Sequence, residues 1–181
     1  MATLIMWNLM TLDGLFEGKD HDLSWHLDVW GEELERLSID QLKSAGGLLF
    51  GRVTYELMAN HWPSATGEVA DFMNALPKHV FSRTLTRSDW ANTAMYGGDL
   101  PTTVARLKRE QPKDIFLFGS ADLAASLMPH GLIDEFRIAL NPIILGRGTP
   151  LFKPDGRRKL KLLDARALAS GIAILRYEPT N

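Results

Sequence analysis

Two glycine-containing segments have the residue types that bind phosphate groups. The first contains Gly51, Arg52, Val53 and Thr54, and the second contains Gly119, Ser120, Ala121, Asp122 and Leu123. Each follows a short apolar run and precedes a helical pattern. Glycine there lets a ligand approach the backbone, and the start of a helix offers free N–H groups to an anion. Arg52 and the hydroxyl groups of Thr54 and Ser120 would add donors. Glycine is also common at such turns for steric reasons alone, but two segments of this kind together favour phosphate binding.

A third segment places an arginine between two hydroxyl groups. It contains Ser82, Arg83 and Thr84 and follows another apolar run. A guanidinium group recognises a phosphate monoester well, and the 2′-phosphate of an adenosine ribose is the natural candidate. The alternative is an exposed loop arginine, which this segment alone would favour.

Several acidic residues near the N-terminus could supply a proton. Asp13 lies in a turn directly after the first apolar run, and Asp22, His26 and Asp28 follow in the next segment beside Trp25. A general acid must reach the reacting atom and hold a proton near neutral pH. The commoner alternative is that these are solvated loop side chains. No set of His, Asp and Glu has the spacing of a metal site, and we predict no metal. The Gly-x-Gly-x-x-Gly, P-loop and Gly-x-Ser-x-Gly patterns are absent from the sequence.

Hydrophobic periodicity predicts strands that alternate with helices. Strands are predicted at residues 2–10, 48–50, 79–82, 90–96, 115–118, 133–145 (with a bulge or bend near Asn141 and Pro142), 160–168 and 171–177, and helices at 31–44, 53–60, 67–75, 101–110 and 121–128. Residues 15–29 are predicted to form a long loop, and Gly46 and Gly47 to end the first helix. The alternation favours a mostly parallel sheet with helices on both faces, to which the C-terminal strands add antiparallel pairs at one edge.

Length and composition favour one globular domain over residues 1–181. The chain carries 20 Lys and Arg against 22 Asp and Glu, a formal charge of −2, and has no cysteine. Such a balance gives no strong field to attract nucleic acid or a membrane surface, so we expect neither as a partner. Thiolate chemistry and disulfides are excluded. No signal-like segment opens the sequence and no apolar run approaches about 18 residues, so we expect a cytoplasmic protein.

The order of the motifs resembles the dihydrofolate reductase-like superfamily. The motifs are Leu-Asp-Gly at 12–14, Gly-Arg-Val-Thr at 51–54, Ser-Arg-Thr at 82–84, Phe-Gly-Ser-Ala-Asp at 118–122, Ile-Asp-Glu at 133–135 and Asn-Pro-Ile-Ile-Leu-Gly-Arg-Gly at 141–148. Together they are most similar to the C-terminal reductase domain of bifunctional riboflavin-biosynthesis enzymes. The resemblance covers residues 3–177 and implies a three-layer α/β/α fold with a mostly parallel mixed sheet.

This resemblance implies an NADPH-dependent reductase that transfers a hydride to a pyrimidine- or pteridine-like heterocycle. The three segments above would bind the cofactor. The substrate side would include Asn8, Asp13, Trp25 and Tyr55, and Asp13 or Asp28 would be the catalytic proton donor. The chain departs from the family at Phe118, where a second glycine is usual. The alternative is a nucleotide- or small-molecule-binding protein without turnover. Members of the family often pair through the C-terminal strands, so we also expect a homodimer.

Overall fold

Ten strands and five helices make up the part of the chain that the computed structural model describes, residues 1–153 and 157–180. The strands are β1 (Leu4–Thr11), β2 (Leu15–Glu17), β3 (Ala45–Gly51), β4 (Lys78–Phe81), β5 (Thr93–Tyr96), β6 (Asp114–Phe118), β7 (Glu135–Asn141), β8 (Thr149–Pro150), β9 (Leu160–Ala167) and β10 (Ala173–Pro179). The helices are α1 (Glu32–Ser44), α2 (Arg52–His61), α3 (Glu68–Ala75), α4 (Leu100–Glu110) and α5 (Ala121–Leu127). Short 3₁₀ turns occur at Lys19–His21, Ser24–Val29, Trp62–Ser64 and Met128–His130.

Eight strands form one mixed sheet in the order β5-β4-β3-β6-β1-β7-β10-β9. The strands from β5 to β7 are parallel to their neighbours, whereas β10 pairs antiparallel with both β7 and β9. Strands β2 and β8 form a separate antiparallel pair. The predicted mostly parallel sheet with antiparallel C-terminal strands is therefore confirmed.

The sheet separates two hydrophobic clusters, and β1 contributes to both. Leu4 and Met6 pack in the cluster that includes residues of α4 and α5, whereas Ile5 and Trp7 pack in the cluster that includes residues of α1, α2 and α3. Side chains alternate between the faces of a strand, so a strand covered by helices on both sides is apolar at every position. This arrangement confirms the predicted three layers. No helix within the described ranges has the length and apolar character needed to cross a bilayer.

Three predicted elements differ from the structure. The predicted loop at 15–29 contains β2 and two 3₁₀ turns. The predicted strand at 133–145 ends at Asn141, because Pro142 lacks an N–H and the Ile143 N–H bonds back to the Asn141 carbonyl at 2.8 Å. Gly46 and Gly47 lie inside β3, not at the end of a helix. A Cβ on Gly47 would lie 3.2 Å from the ring of His79, so close packing accounts for the glycine.

Lys78 is fully buried at the start of β4 and closes the end of α3. Its ammonium group donates hydrogen bonds to the carbonyls of Met73 (2.8 Å), Asn74 (3.1 Å) and Leu76 (2.8 Å), and it lies 4.5 Å from the centre of the Trp90 ring. Burial lowers the pKa of Lys78 to about 8, so the group still carries three donors at neutral pH. These bonds satisfy carbonyls that the end of a helix leaves unpaired.

Strand β9 is the outer edge of the sheet, and every residue in it is exposed. Leu160, Leu162 and Leu163 are 39%, 51% and 41% exposed. An exposed edge with apolar side chains is a site where another strand can pair. The homodimer stays a prediction, and sedimentation of the purified protein tests it.

Candidate functional site

One cavity of about 1100 Å³ opens at the carboxyl ends of four neighbouring strands. Residues at the ends of β4, β3, β6 and β1 line it, together with α1, α2, α3 and the segment between β1 and α1. In open α/β sheets, ligands bind at this end of the strands. The volume exceeds what a single small metabolite needs and is sufficient for two ligands side by side.

All twelve residues predicted to bind a cofactor line this cavity. They are Gly51, Arg52, Val53, Thr54, Ser82, Arg83, Thr84, Gly119, Ser120, Ala121, Asp122 and Leu123. Two residues predicted for the substrate side, Asn8 and Trp25, line it as well. The fold thus brings together three segments, of which the first and the last are more than 60 residues apart in sequence.

A buried hydrogen-bonded cluster joins the two glycine-containing segments. Ser120 donates from its backbone N–H (3.0 Å) and from its hydroxyl (2.9 Å) to the Thr54 hydroxyl oxygen, and its own hydroxyl oxygen accepts from the Gly51 N–H at 2.7 Å. The sequence analysis assigned these two hydroxyl groups to the ligand. In the structure both hydroxyl groups hold the starts of α2 and α5 together, and their binding to a ligand stays a prediction.

Any residue other than glycine at position 119 would strain this cluster. Its φ is +55°, and a Cβ there would lie 2.9 Å from both Cγ2 and Oγ1 of Thr54. Left-handed backbone of this kind favours glycine. A side chain at this position would push apart the two segments that form the cavity wall.

The helix starts at the cavity have no side-chain caps. Neither Gly51 before α2 nor Ser120 before α5 provides a side chain that accepts a hydrogen bond from the first turn. The first N–H groups of a helix are then available to a ligand and carry the positive end of the helix dipole. Phosphate oxygens are the groups that such a site binds best.

The arginines differ in whether they are free to bind a ligand. Arg52 forms an ion pair with Glu56 at 2.7 Å. Arg83 makes no hydrogen bond or salt bridge to any residue in the described ranges, and the hydroxyl of Ser82 beside it accepts from the N–H of Leu85 at 2.8 Å. Asp122 pairs with Lys153, which offsets its negative charge at the start of α5. Arg83 is thus the arginine of the cavity available to an anionic group.

Asp13, Asp28 and Tyr55, to which the sequence analysis gave substrate or catalytic roles, lie outside the cavity lining. Asp13 accepts from the Thr11 hydroxyl (2.6 Å) and from the N–H groups of Leu145 (3.3 Å) and Gly146 (2.8 Å). These hydrogen bonds lower the pKa of Asp13, so its carboxylate is ionised at neutral pH and has no proton to donate.

Asp28 and Tyr55 lie in different environments, one exposed and the other buried. Asp28 is an exposed residue of the 3₁₀ turn Ser24–Val29. Tyr55 is 4% exposed, its hydroxyl is bonded to Ser88, and its ring packs 6.1 Å from that of Trp90. The side chain of Tyr55 therefore packs from α2 into the hydrophobic core.

The structure adds a pair of a buried glutamate and an exposed histidine that the sequence analysis did not single out. Glu17 is 6% exposed, accepts from the Thr149 hydroxyl at 2.7 Å, and lies 3.0 Å from Nδ1 of His21. All three residues line the cavity. His21 has a positive φ of +62°, a conformation that is uncommon for a residue with a side chain. Glu17 and His21 are only four residues apart, but the Thr149 hydroxyl that bonds to Glu17 lies 132 residues away in sequence.

Aromatic side chains form much of the remaining wall. The ring of Trp25 lies 5.6 Å from that of His26, which lies 6.2 Å from that of Trp30. Burial lowers the pKa of His26, so this ring is neutral at pH 7. Phe118 stacks between Phe50 and Phe116 at 6.2 Å from each. Flat ligands suit such surfaces. Within residues 1–153 and 157–180, no three His, Asp or Glu side chains come together as a metal site would require.

Comparison with known proteins agrees with this architecture. A Bacillus subtilis (strain 168) protein, "Uncharacterized protein YyaP", is 33% identical over 175 residues, which cover 93% of this chain and 90% of that protein. A deaminase/5-amino-6-(5-phosphoribosylamino)uracil reductase from Thermotoga maritima superposes with a TM-score of 0.71 at 13% identity, over 99% of this chain and 57% of that one. Dihydrofolate reductase from Enterococcus faecalis, complexed with NADP(H), superposes with a TM-score of 0.65 at 10% identity, over 99% and 97%.

The two structural likenesses show the same fold, a dihydrofolate reductase-like one. The model of the RibD C-terminal domain matches residues 2–174, nearly the whole chain. This chain belongs to the RibD C-terminal domain family.

Proposed function

We propose that this protein is an NADPH-dependent reductase of a pyrimidine- or pteridine-like heterocycle. One observation carries the proposal: three strand-end segments with phosphate-binding character converge on a single cavity whose other walls are aromatic. A nucleotide needs the first kind of wall and a flat heterocycle needs the second. Membership of the RibD C-terminal domain family supports a reductase.

The cavity residues fit a dinucleotide phosphate. Gly119 lets the starts of α2 and α5 lie close together, and these uncapped helix starts offer N–H groups to phosphate oxygens. Arg83, free of other partners among the described residues, is assigned to the 2′-phosphate that distinguishes NADPH from NADH. When bound, a reduced nicotinamide supplies the hydride, while the protein supplies orientation and a proton.

We assign the proton to the pair of Glu17 and His21. Because Nδ1 of His21 faces Glu17, Nε2 is the ring nitrogen left for a ligand in the cavity. The Thr149 hydroxyl holds the carboxylate in place, so the pair keeps its geometry without substrate. A carboxylate that orients a histidine is a common arrangement in general acid catalysis.

Titration with NADPH and NADH tests the cofactor assignment. The protein has five Trp, and four of them, Trp7, Trp25, Trp30 and Trp62, line the cavity, so energy transfer from indole to nicotinamide reports binding directly. We expect micromolar NADPH binding and much weaker NADH binding, followed by NADPH oxidation with a member of a heterocycle panel. Absence of binding by either nucleotide refutes the proposal. Tight binding without oxidation by any heterocycle supports the alternative, a binding protein without turnover. The cytoplasmic location stays a prediction.

A further inference from the structure

Four buried side-chain polar atoms in the described part of the chain have no hydrogen-bond partner. They are Nδ2 of Asn8, Nε1 of Trp25, Nε2 of Gln41 and Oδ1 of Asn141. The first three belong to residues that line the cavity, and all three are nitrogen donors. Native proteins leave few buried polar groups unpaired, and such a group calls for an explanation. Each nitrogen has almost no accessible surface, so a ligand that accepts hydrogen bonds pairs with all three once the side chains shift to meet it.

Trp25 and Gln41 can only be donors towards the cavity. The indole nitrogen has no acceptor capacity. The amide oxygen of Gln41 accepts from Nη1 of Arg137 at 3.2 Å, and because a guanidinium group only donates, the amide cannot be turned around without losing that bond. Asn8 differs, because no side chain or backbone group in the described ranges bonds to its amide and orients it.

A charged network holds Gln41 in this orientation. Arg137 donates to Glu135 at 2.6 Å, and Arg176 donates to the same carboxylate at 2.7 Å. Burial acts to raise the pKa of Glu135, but the hydrogen bonds from the two arginines outweigh it and hold that pKa below its usual range. Glu135 is therefore ionised at neutral pH and keeps Arg137 directed at Gln41, which is 4% exposed.

We propose that Trp25 and Gln41 determine substrate specificity by binding two acceptor atoms, carbonyl or carboxylate oxygens, on one edge of a flat substrate. The inference rests on the proposed function in that it concerns the substrate half of the same cavity. A heterocycle with carbonyl oxygens on this edge accepts hydrogen bonds from both Trp25 and Gln41. A heterocycle with amino groups on the same edge sets its own N–H donors against the two protein donors, and no hydrogen bond forms. An unpaired buried donor discriminates strongly between such analogues.

Two probes of the same ring skeleton test this proposal. Lumazine (2,4-dioxopteridine) presents oxygens where 2,4-diaminopteridine presents amino groups. Isothermal titration with each probe, with and without saturating NADPH, gives the two affinities. We expect lumazine to bind wild-type protein at least about tenfold more tightly than the diamino compound.

Two variants on different elements test whether Trp25 and Gln41 cause the preference for lumazine over 2,4-diaminopteridine. Gln41→Glu keeps the acceptor for Arg137 but replaces Nε2 by an oxygen, so the preference for lumazine falls by about tenfold or reverses. Trp25→Phe keeps an aromatic wall and weakens lumazine alone. In the control, Gln111→Glu, the amide lies outside the cavity, beside His79, and the preference is unchanged.

Equal or tighter binding of 2,4-diaminopteridine by wild-type protein overturns the proposal, and so does failure of both probes to bind at millimolar concentration. The proposal is also overturned if Gln41→Glu and Trp25→Phe both keep the wild-type preference for lumazine. The NADPH titration separates this inference from the proposed function. Lumazine preference without NADPH binding leaves the specificity assignment standing and removes the reductase, whereas NADPH binding without the preference does the reverse.

Discussion

The hydroxyl of Thr54 is the point at which the two glycine-containing segments are joined, and its removal should loosen both. In Thr54→Val the side chain keeps its shape but loses the acceptor for two buried donors, the N–H (3.0 Å) and the hydroxyl (2.9 Å) of Ser120. An unsatisfied buried donor costs about 1–3 kcal/mol. We therefore expect the free energy of unfolding to fall by about 2–4 kcal/mol, a large part of a typical total of about 5–15 kcal/mol.

Urea denaturation, followed by tryptophan fluorescence, measures this change, and nucleotide titration gives the effect on binding. The NADPH dissociation constant should rise as well, because Ser120 and Gly51 lie at the starts of the helices assigned to the phosphates. Thr103→Val is the matched control. Thr103 is a half-buried helical threonine whose hydroxyl makes no hydrogen bond within the described ranges, so the same substitution should cost less than about 0.5 kcal/mol there.

A double-mutant cycle with Ser120→Ala isolates the interaction. If the two side chains act through their mutual bonds, the double variant loses less than the sum of the single losses, by about 1–2 kcal/mol. Additive losses, or a Thr54→Val variant within about 0.5 kcal/mol of wild type, would refute the reasoning. The two segments would then be held by packing of the surrounding apolar side chains.

Three further perturbations test other parts of the structure. Arg83→Ala should weaken NADPH about 10- to 100-fold, the loss of hydrogen bonds to a charged group, and NADH less than about twofold; an equal loss for both nucleotides would contradict the 2′-phosphate assignment. Lys78→Met leaves the carbonyls of Met73 and Leu76 without their side-chain donor, while that of Asn74 still accepts from Nδ2 of Asn92 at 3.2 Å; urea denaturation should show a loss of about 3 kcal/mol, and a fully stable variant would argue against this role. Burial lowers the pKa of both His26 and His79, so below about pH 6.5 the unfolded chain binds more protons than the folded chain and stability falls as the pH falls. His79→Gln should reduce that fall by up to about 1.4 kcal/mol per pH unit, and an unchanged pH profile between pH 7 and 5 would show that His79 titrates normally in the folded protein.

Most elements could be predicted from the sequence because local patterns determine them. The alternation of helical and strand periodicity indicated the parallel part of the sheet, and the break at Gly131 and the turn at 169–171 indicated the strands that follow. The errors fall where contacts distant in sequence decide. Gly46 and Gly47 suggest a helix end, yet they are strand residues packed against Lys113 and His79.

The meeting of the three predicted cofactor segments at one cavity was predictable for the same reason. Its residues follow strands directly, and strand ends of a parallel sheet meet at one edge whatever the details of packing. Sequence could not indicate how the hydroxyls of Thr54 and Ser120 are used, because they lie 66 residues apart and meet only when α2 and α5 pack side by side. Asp13 was selected for its residue type and its position after the first strand, and its carboxylate bonds to residues 145 and 146 outside the cavity lining.

The substrate specificity proposed for the cavity depends on whether an amide presents a donor or an acceptor. The residue type alone does not decide this for an amide. Gln41 is one polar residue among several in an amphipathic helix, and its side chain can present either a donor or an acceptor. Arg137, 96 residues away, removes that choice by donating to the oxygen, and Glu135 holds Arg137 through an ionised carboxylate. A variant that removes this carboxylate, Glu135→Gln, should therefore weaken the preference for lumazine without touching the cavity itself. If the preference survives in a folded Glu135→Gln protein, the network serves stability alone and Gln41 owes its orientation to the helix that carries it.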